Sequence, residues 1–215
     1  MKNTTKILLT LFALVISACS DFLNEPLQGT YSSATFYKTE AHAMLAIAGV
    51  YNAISFVSTE NNLWVFGDVA SDDATKGGLS GDQSDIQFID EFNYSRNNVS
   101  IEKIWKRYYE GISRANYLLY YGPAIPMDIK LKNRILSEAK FLRAYLYFSL
   151  VNIFGEIPIK LSPPVNPDEI TKPKSSVTNV YAQIEKDLRE AVPDLPKIYT
   201  GSDVGRAAKG AAWGL

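Results

Sequence analysis

Between Asp128 and Gly155 the sequence holds one helical period without a break. Ile135, Leu136, Ala139, Leu142, Tyr145, Leu146, Ser149, Leu150 and Ile153 recur three or four residues apart. At 3.6 residues per turn that spacing places them on one face of a single helix of roughly seven turns. A helix with so long an apolar face is stable only when other elements cover it, so the rest of the chain is constrained to supply neighbours.

Those neighbours are also helical. Met44, Leu45, Ala48, Tyr51 and Ile54 predict a first helix from about Glu40 to Ser55, with Thr39 as cap. Ile101, Ile104, Trp105, Tyr108, Ile112, Ala115 and Leu119 predict a second, from near Ser100 to just before Gly122-Pro123, with Trp105 and Tyr108 on its buried stripe. Gly155 closes the long third helix. Ile157-Pro158-Ile159 is short and extended, and Pro163 to Pro173 form a rigid connector. Val180, Tyr181, Ile184 and Leu188 mark a fourth helix from about Val177 to Ala191, and a fifth helical pattern begins near Gly205 and is still running at Leu215. No strand ladder is visible, and small residues such as Ala139, Ala144, Ala207 and Ala211 permit close helix approach. The expected fold is all-α, built of antiparallel helix pairs of tetratricopeptide type, although a repeat of about 34 residues is not visible as self-similarity.

Ser58 to Asn98 stands apart. It is rich in Gly, Asp, Ser and Asn around a few aromatics, and reads as a long irregular loop. Loops of that length inside a compact domain commonly carry function. Trp64, Phe66 and Tyr94 can offer flat apolar faces to the C–H groups of a sugar, while Asp72, Asp73, Lys76, Asp82 and Asn93 can hydrogen-bond its hydroxyls. Trp64, Asp72, Asp73, Lys76 and Tyr94 are therefore the candidate ligand contacts, against the plainer reading that any long loop is rich in turn-forming Asp and Gly. A calcium loop across Asp82 to Glu91 fails because Ile86 and Gln87 stand where oxygen ligands and a central glycine belong. His42 is the only histidine and has no partner at metal or triad spacing, so neither a metal nor a cofactor is expected.

The N-terminus carries a different signal. Lys2 and Lys6 precede an apolar run from Ile7 to Ile16, then Ser17-Ala18-Cys19. A run of ten residues is too short to span a bilayer, which needs roughly 20, and suits a secretory signal peptide. The small residues before the only cysteine resemble the lipobox of bacterial lipoproteins, with Ile16 in place of the usual leucine. That resemblance implies cleavage after residue 18 and lipid attachment at Cys19. Residues 19–38 then form a tether and residues 39–215 the helical domain. With a single cysteine there is no internal disulfide. A net charge of -1 with 21% charged residues gives no electrostatic reason to expect nucleic acid.

One string joins these readings. Glu138-Ala-Lys-Phe-Leu-Arg-Ala-Tyr-Leu-Tyr-Phe-Ser-Leu-Val-Asn-Ile-Phe-Gly-Glu-Ile-Pro-Ile159 closely resembles the helix and turn that mark the SusD/RagB family of Bacteroidetes outer-membrane lipoproteins. Cys19-Ser-Asp-Phe-Leu23, Phe36 to Ala53, Trp105 to Asn116, Val180 to Pro196 and Gly205 to Ala212 are similar to further family segments, in the same order. The match covers essentially the whole mature chain but only the N-terminal, helical part of such proteins. The resemblance implies a SusD-like α-α superhelix and a non-catalytic surface lipoprotein, anchored in the outer membrane. It also implies capture of an oligosaccharide, or sometimes a peptide, for a SusC-like TonB-dependent transporter. Within that frame Arg143 is expected to pair with Glu138 or Glu156 to fix the turn, or to meet the partner, and Tyr145, Tyr147 and Phe148 to fill space between helices. Two other functions compete: a lipid-anchored helical scaffold for proteins or peptides, and a glycoside hydrolase, which needs two carboxylates roughly 5 to 10 Å apart across a cleft.

Overall fold

The computed structural model describes residues 33–55, 63–164 and 167–215. The chain divides into two units, residues 1–36 and 37–215. The described part of the first is one helical turn, Ser33–Phe36. The second is helical throughout its regular structure: α1 (Glu40–Ile54), α2 (Ser84–Asp90), α3 (Val99–Tyr121), α4 (Ile129–Phe154), α5 (Val177–Ala191) and α6 (Lys209–Gly214). A π-helical turn, Val65–Val69, precedes α2. The nearest approach to a strand among the described residues is an isolated antiparallel bridge between Ile157 and Ser175, which agrees with the extended segment expected there.

The helices begin where side chains can take up their unpaired N–H groups. Thr39, Asn98, Asp128 and Ser176 each cap a helix, and Asn98 Oδ1 accepts from both Ser100 N and Ile101 N. Each such cap contributes about 1 kcal/mol. α4 ends at Gly155, whose φ of 70° is open to glycine and strained for other residues.

α4 is the hub, packing against α1, α3 and α5. Tyr108 and Ile112 of α3 meet Leu146, Tyr147 and Leu150 of α4 in a core that also takes in Val180 and Ile184 of α5. Where α1, α3 and α4 come closest the chain needs glycine: a Cβ on Gly111 would stand 2.5 Å from Ala53 Cβ and 2.8 Å from Leu146 Cδ1.

Two buried ionic clusters fix the packing. Arg143 donates from Nε and one terminal nitrogen to the two oxygens of Asp187 on α5, at 2.8 and 2.7 Å, and from the other to Asn116 Oδ1 on α3 at 2.7 Å. Asn116 Nδ2 in turn donates to Lys160 O, and Gln183 Nε2 to Asp187 Oδ1. Glu138, fully buried, accepts from Tyr199 Oη and Arg206, both at 3.0 Å, and so ties the segment after α5 back to α4. Arg134 and Arg206 also reach Asp203, each at 2.8 Å. Guanidinium groups of α3 also bind carbonyls of the last turns of α1: Arg107 donates to Asn52 O and Ala53 O, and Arg114 to Gly49 O. A cation at a helix C-terminus is favoured by the helix dipole as well.

Four expectations are corrected. Arg143 pairs with neither Glu138 nor Glu156. Five residues from Glu138 on the same helix, it projects about 140° away, outside the three- and four-residue spacings that let side chains meet, and Glu156 pairs with Lys174 instead. The stripe of α1 is out of phase: Ala43, Ala46, Ile47, Val50 and Ala53 are buried while Leu45 is 57% exposed and Ala48 exposed. This helix is apolar nearly all round, so periodicity alone does not set its inward face. The segment before α3 is not wholly irregular, since Val65 and Val69 of the π turn pack on Ile86 and Ile89 of α2 in a small core of their own. The fifth helical pattern becomes helix only at Lys209, after a 3-10 turn, Gly201–Asp203.

Replacing Arg143 by Met leaves Asp187, 1% exposed, without its cation, so Arg143→Met is expected to lose 3–5 kcal/mol in urea unfolding. The double variant Arg143→Met/Asp187→Leu removes both charges and is expected to recover most of that loss; a double variant as unstable as the single would refute the assignment. A second expectation concerns acid. The hydrogen bond from Arg134 holds the Asp203 carboxyl below the usual carboxylate range, with the charges of Arg134 and Arg206 adding to it and burial opposing. Its stabilisation is therefore present above about pH 4 and lost as pH falls through the lowered folded value. The difference in melting temperature between wild type and Asp203→Asn should be largest near neutral pH and shrink below about pH 4.

Candidate functional site

The outer face of the last turns of α4 forms one wall of an open cleft of about 800 Å³. Tyr145, Phe148 and Asn152, spaced three and four apart, present this face because Tyr147 and Leu150 take the core side. The facing wall comes from Phe66 of the π turn and from the link between α2 and α3, where Phe92, Tyr94, Ser95 and Arg96 line the cleft. The link is bent at both ends, by the positive φ of Phe92 and by a turn in which Asn98 N donates to Ser95 O.

The aromatic residues of this wall are unusually presented. Phe92 has a φ of 51° and is 71% exposed, and Tyr94 is 50% exposed. Phe92 N donates to Ile89 O and Asn93 N to Phe88 O, the two hydrogen bonds of a Schellman ending on α2. The left-handed position of that motif favours glycine; a phenylalanine there costs about 1 kcal/mol and leaves its ring in solvent.

Polar groups inside the cleft are largely engaged within the protein. Ser149 Oγ donates to Tyr145 O, Asn152 Nδ2 donates to Phe148 O, and Asn152 Oδ1 accepts from Tyr181. Within α3, burial pushes the hydroxyls of Tyr108 and Tyr109 well above the usual tyrosine range, so both stay neutral. Among the described lining residues there is no carboxylate, and Arg96 is the charged one.

Of the residues singled out from sequence, Phe66 and Tyr94 enter the cleft. Trp64 stands at the start of the π turn, 43% exposed, outside the lining, although its neighbours Leu63 and Phe66 belong to it. Asp72 and Asp73 are exposed on the loop that follows. Lys76 shapes that loop: its Nζ donates to Leu79 O at 2.8 Å and its backbone N to Asp90 Oδ2 at 3.0 Å. The carboxylates once considered for calcium are dispersed among local partners, Asp85 on Ser100, Asp90 on Lys76 and Glu91 on Gln87. Cys19 lies outside the described residues. Tyr147 fills the core as expected and Phe148 packs against it and on Tyr181 of α5, whereas Tyr145 is partly exposed and faces the cleft, so the space-filling role holds for two of the three. Phe92 and Arg96 escaped the sequence reading, because a link bent by a positive φ and a turn shows no period.

Comparison with known proteins fixes the relationship. Residues 22–215 match the SusD-like family model described as starch-binding and associating with the outer membrane. The chain is 28% identical over 210 residues to a SusD-like protein, P25, of Formosa agariphila, covering 91% of this chain and 38% of that protein. A solved laminarin-binding SusD-like protein superposes with a TM-score of 0.75 at 36% identity, over 82% of this chain and 38% of the other. Surface glycan-binding protein A from Bacteroides fluxus gives 0.72 at 28% identity, over 81% and 38%. The chain thus spans 38% of the length of the relatives it matches, and within that span helix order, fold and sequence agree. The chain belongs to the SusD-like family.

Proposed function

We propose that this chain is the helical portion of a non-catalytic, cell-surface glycan-binding lipoprotein that captures oligosaccharide and delivers it to a SusC-like TonB-dependent transporter of the outer membrane. The observation that carries this reading is the likeness to the laminarin-binding relative, at 36% identity with the same fold. The cleft supports it physically. Aromatic rings such as Phe92 and Tyr94 suit the apolar faces of pyranose rings, whose C–H groups stack on them. A two-carboxylate hydrolysis has no acid–base pair among the described lining residues, and the loop carboxylates Asp72 and Asp73 are neighbours in sequence rather than facing groups. Capture and hand-over need differential affinity and geometry, with no bond made or broken.

Cys19 supplies the anchor in this reading, through acylation of the thiol exposed by cleavage after residue 18. In the native host, Cys19→Ala is expected to move the protein from the outer-membrane fraction to a soluble one, while whole-cell protease treatment releases peptides of the wild-type domain. Affinity electrophoresis of purified protein in gels containing laminarin, starch or other polysaccharides should show retardation without release of reducing ends. Retention of the alanine variant in the membrane would overturn the anchor. Release of reducing ends would overturn the non-catalytic reading.

A further inference from the structure

Phe92, Tyr94 and Arg96 occur together on one short link and line the same cleft. We propose that this segment recognises an anionic oligosaccharide, stacking a pyranose ring on Phe92 and Tyr94 while the Arg96 guanidinium pairs with a ring carboxylate or sulfate ester. The inference rests on the glycan-capture reading and specifies the ligand class of the same cleft.

Three observations support it. Phe92, Tyr94 and Arg96 all line the same cleft, which brings two rings and one cation to one site. Arg96 is exposed and makes no hydrogen bond or ion pair with another described residue. The carboxylates nearest to it in sequence are held elsewhere, Asp90 by Lys76 N and Glu91 by Gln87 Nε2, and neither lines the cleft. Finally, Ser149 and Asn152 of the opposite wall are engaged within α4 and with Tyr181, and Arg96 is the one charged side chain among the described lining residues. A guanidinium is suited to planar, two-point recognition of a carboxylate or sulfate. The strained backbone at Phe92 fits the same role, because a glycine at that position would relieve the strain and remove the ring.

The test is calorimetric titration of the purified full chain with three hexasaccharides of matched length: a galacturonate oligomer, a sulfated carrageenan oligomer and neutral laminarihexaose. One or both anionic probes should bind at least tenfold more tightly than laminarihexaose, and the preference should weaken as salt is raised. Which of the two binds identifies the carboxylate or the sulfate as the group on Arg96. Arg96→Gln should abolish the preference, leaving residual affinity for all three similar. Phe92→Gly should melt at the same temperature as wild type or higher, yet bind the preferred probe at least tenfold more weakly. Equal or tighter binding of laminarihexaose by the wild type, or an undiminished preference in Arg96→Gln, would overturn the inference while glycan capture stands. Binding of none of the three would overturn it and remove support from the capture reading as well.

Discussion

The bidentate contact between Arg143 and Asp187 is the constraint on which the rest of the bundle depends. It lies where α3, α4 and α5 meet, and the third arm of the guanidinium, on Asn116, makes it a three-helix joint. Two ions withdrawn from water stabilise a fold only when every donor and acceptor is answered. Here the carboxylate takes both Arg143 bonds and one from Gln183, and Asn116 passes its own amide to Lys160 O. A sliding helix would strand a charge in the core, so the joint sets register where apolar packing alone tolerates slippage. Glu138, on another face of the same helix, does the same for the segment carrying Tyr199 and Arg206.

This arrangement determines what α4 offers to solvent. The chain leaving it is fixed by tyrosine hydroxyls: Tyr147 both donates to Lys160 O and accepts from Lys160 N, and Tyr109 donates to Pro158 O. Ile157 is buried and bridged to Ser175. With its core side locked and its exit pinned, the last turns of α4 are left with Tyr145, Phe148 and Asn152 facing outward over the cleft. The cleft wall on that side is therefore as rigid as the bundle.

How much of this was legible in sequence follows from the range of each interaction. α3, α4 and α5 show long periods with a capping residue at the start, and appear within a residue or two of the expected limits. α1 was recognisable as a helix but not in its orientation, because residues 43–50 are almost all apolar. α2 and the π turn span seven and five residues, too short for a period to emerge from a Gly- and Asp-rich context. The partner of Arg143 lies 44 residues away, and no local spacing rule reaches it. The candidate site suffered most. Exposed loop residues were chosen by chemical type, and type alone does not separate Trp64, outside the cleft, from Phe66, within it.

What distinguishes the link between α2 and α3 is that both its ends are fixed. Asp85 of α2 accepts from Ser100 of α3, Asn98 donates to Asp85 O while capping α3, and Asp90 receives Lys76 N from the preceding loop. A segment held in this way has little conformational freedom left to lose when a ligand arrives, so less of the contact energy is consumed in ordering it. The same anchoring explains how Phe92 persists in a backbone conformation that disfavours it: the strain is local, of order 1 kcal/mol, and the bonds on either side outweigh it. A sequence optimised only for stability would place glycine there. Retaining a large, exposed aromatic ring at that position makes sense when the ring is used from outside.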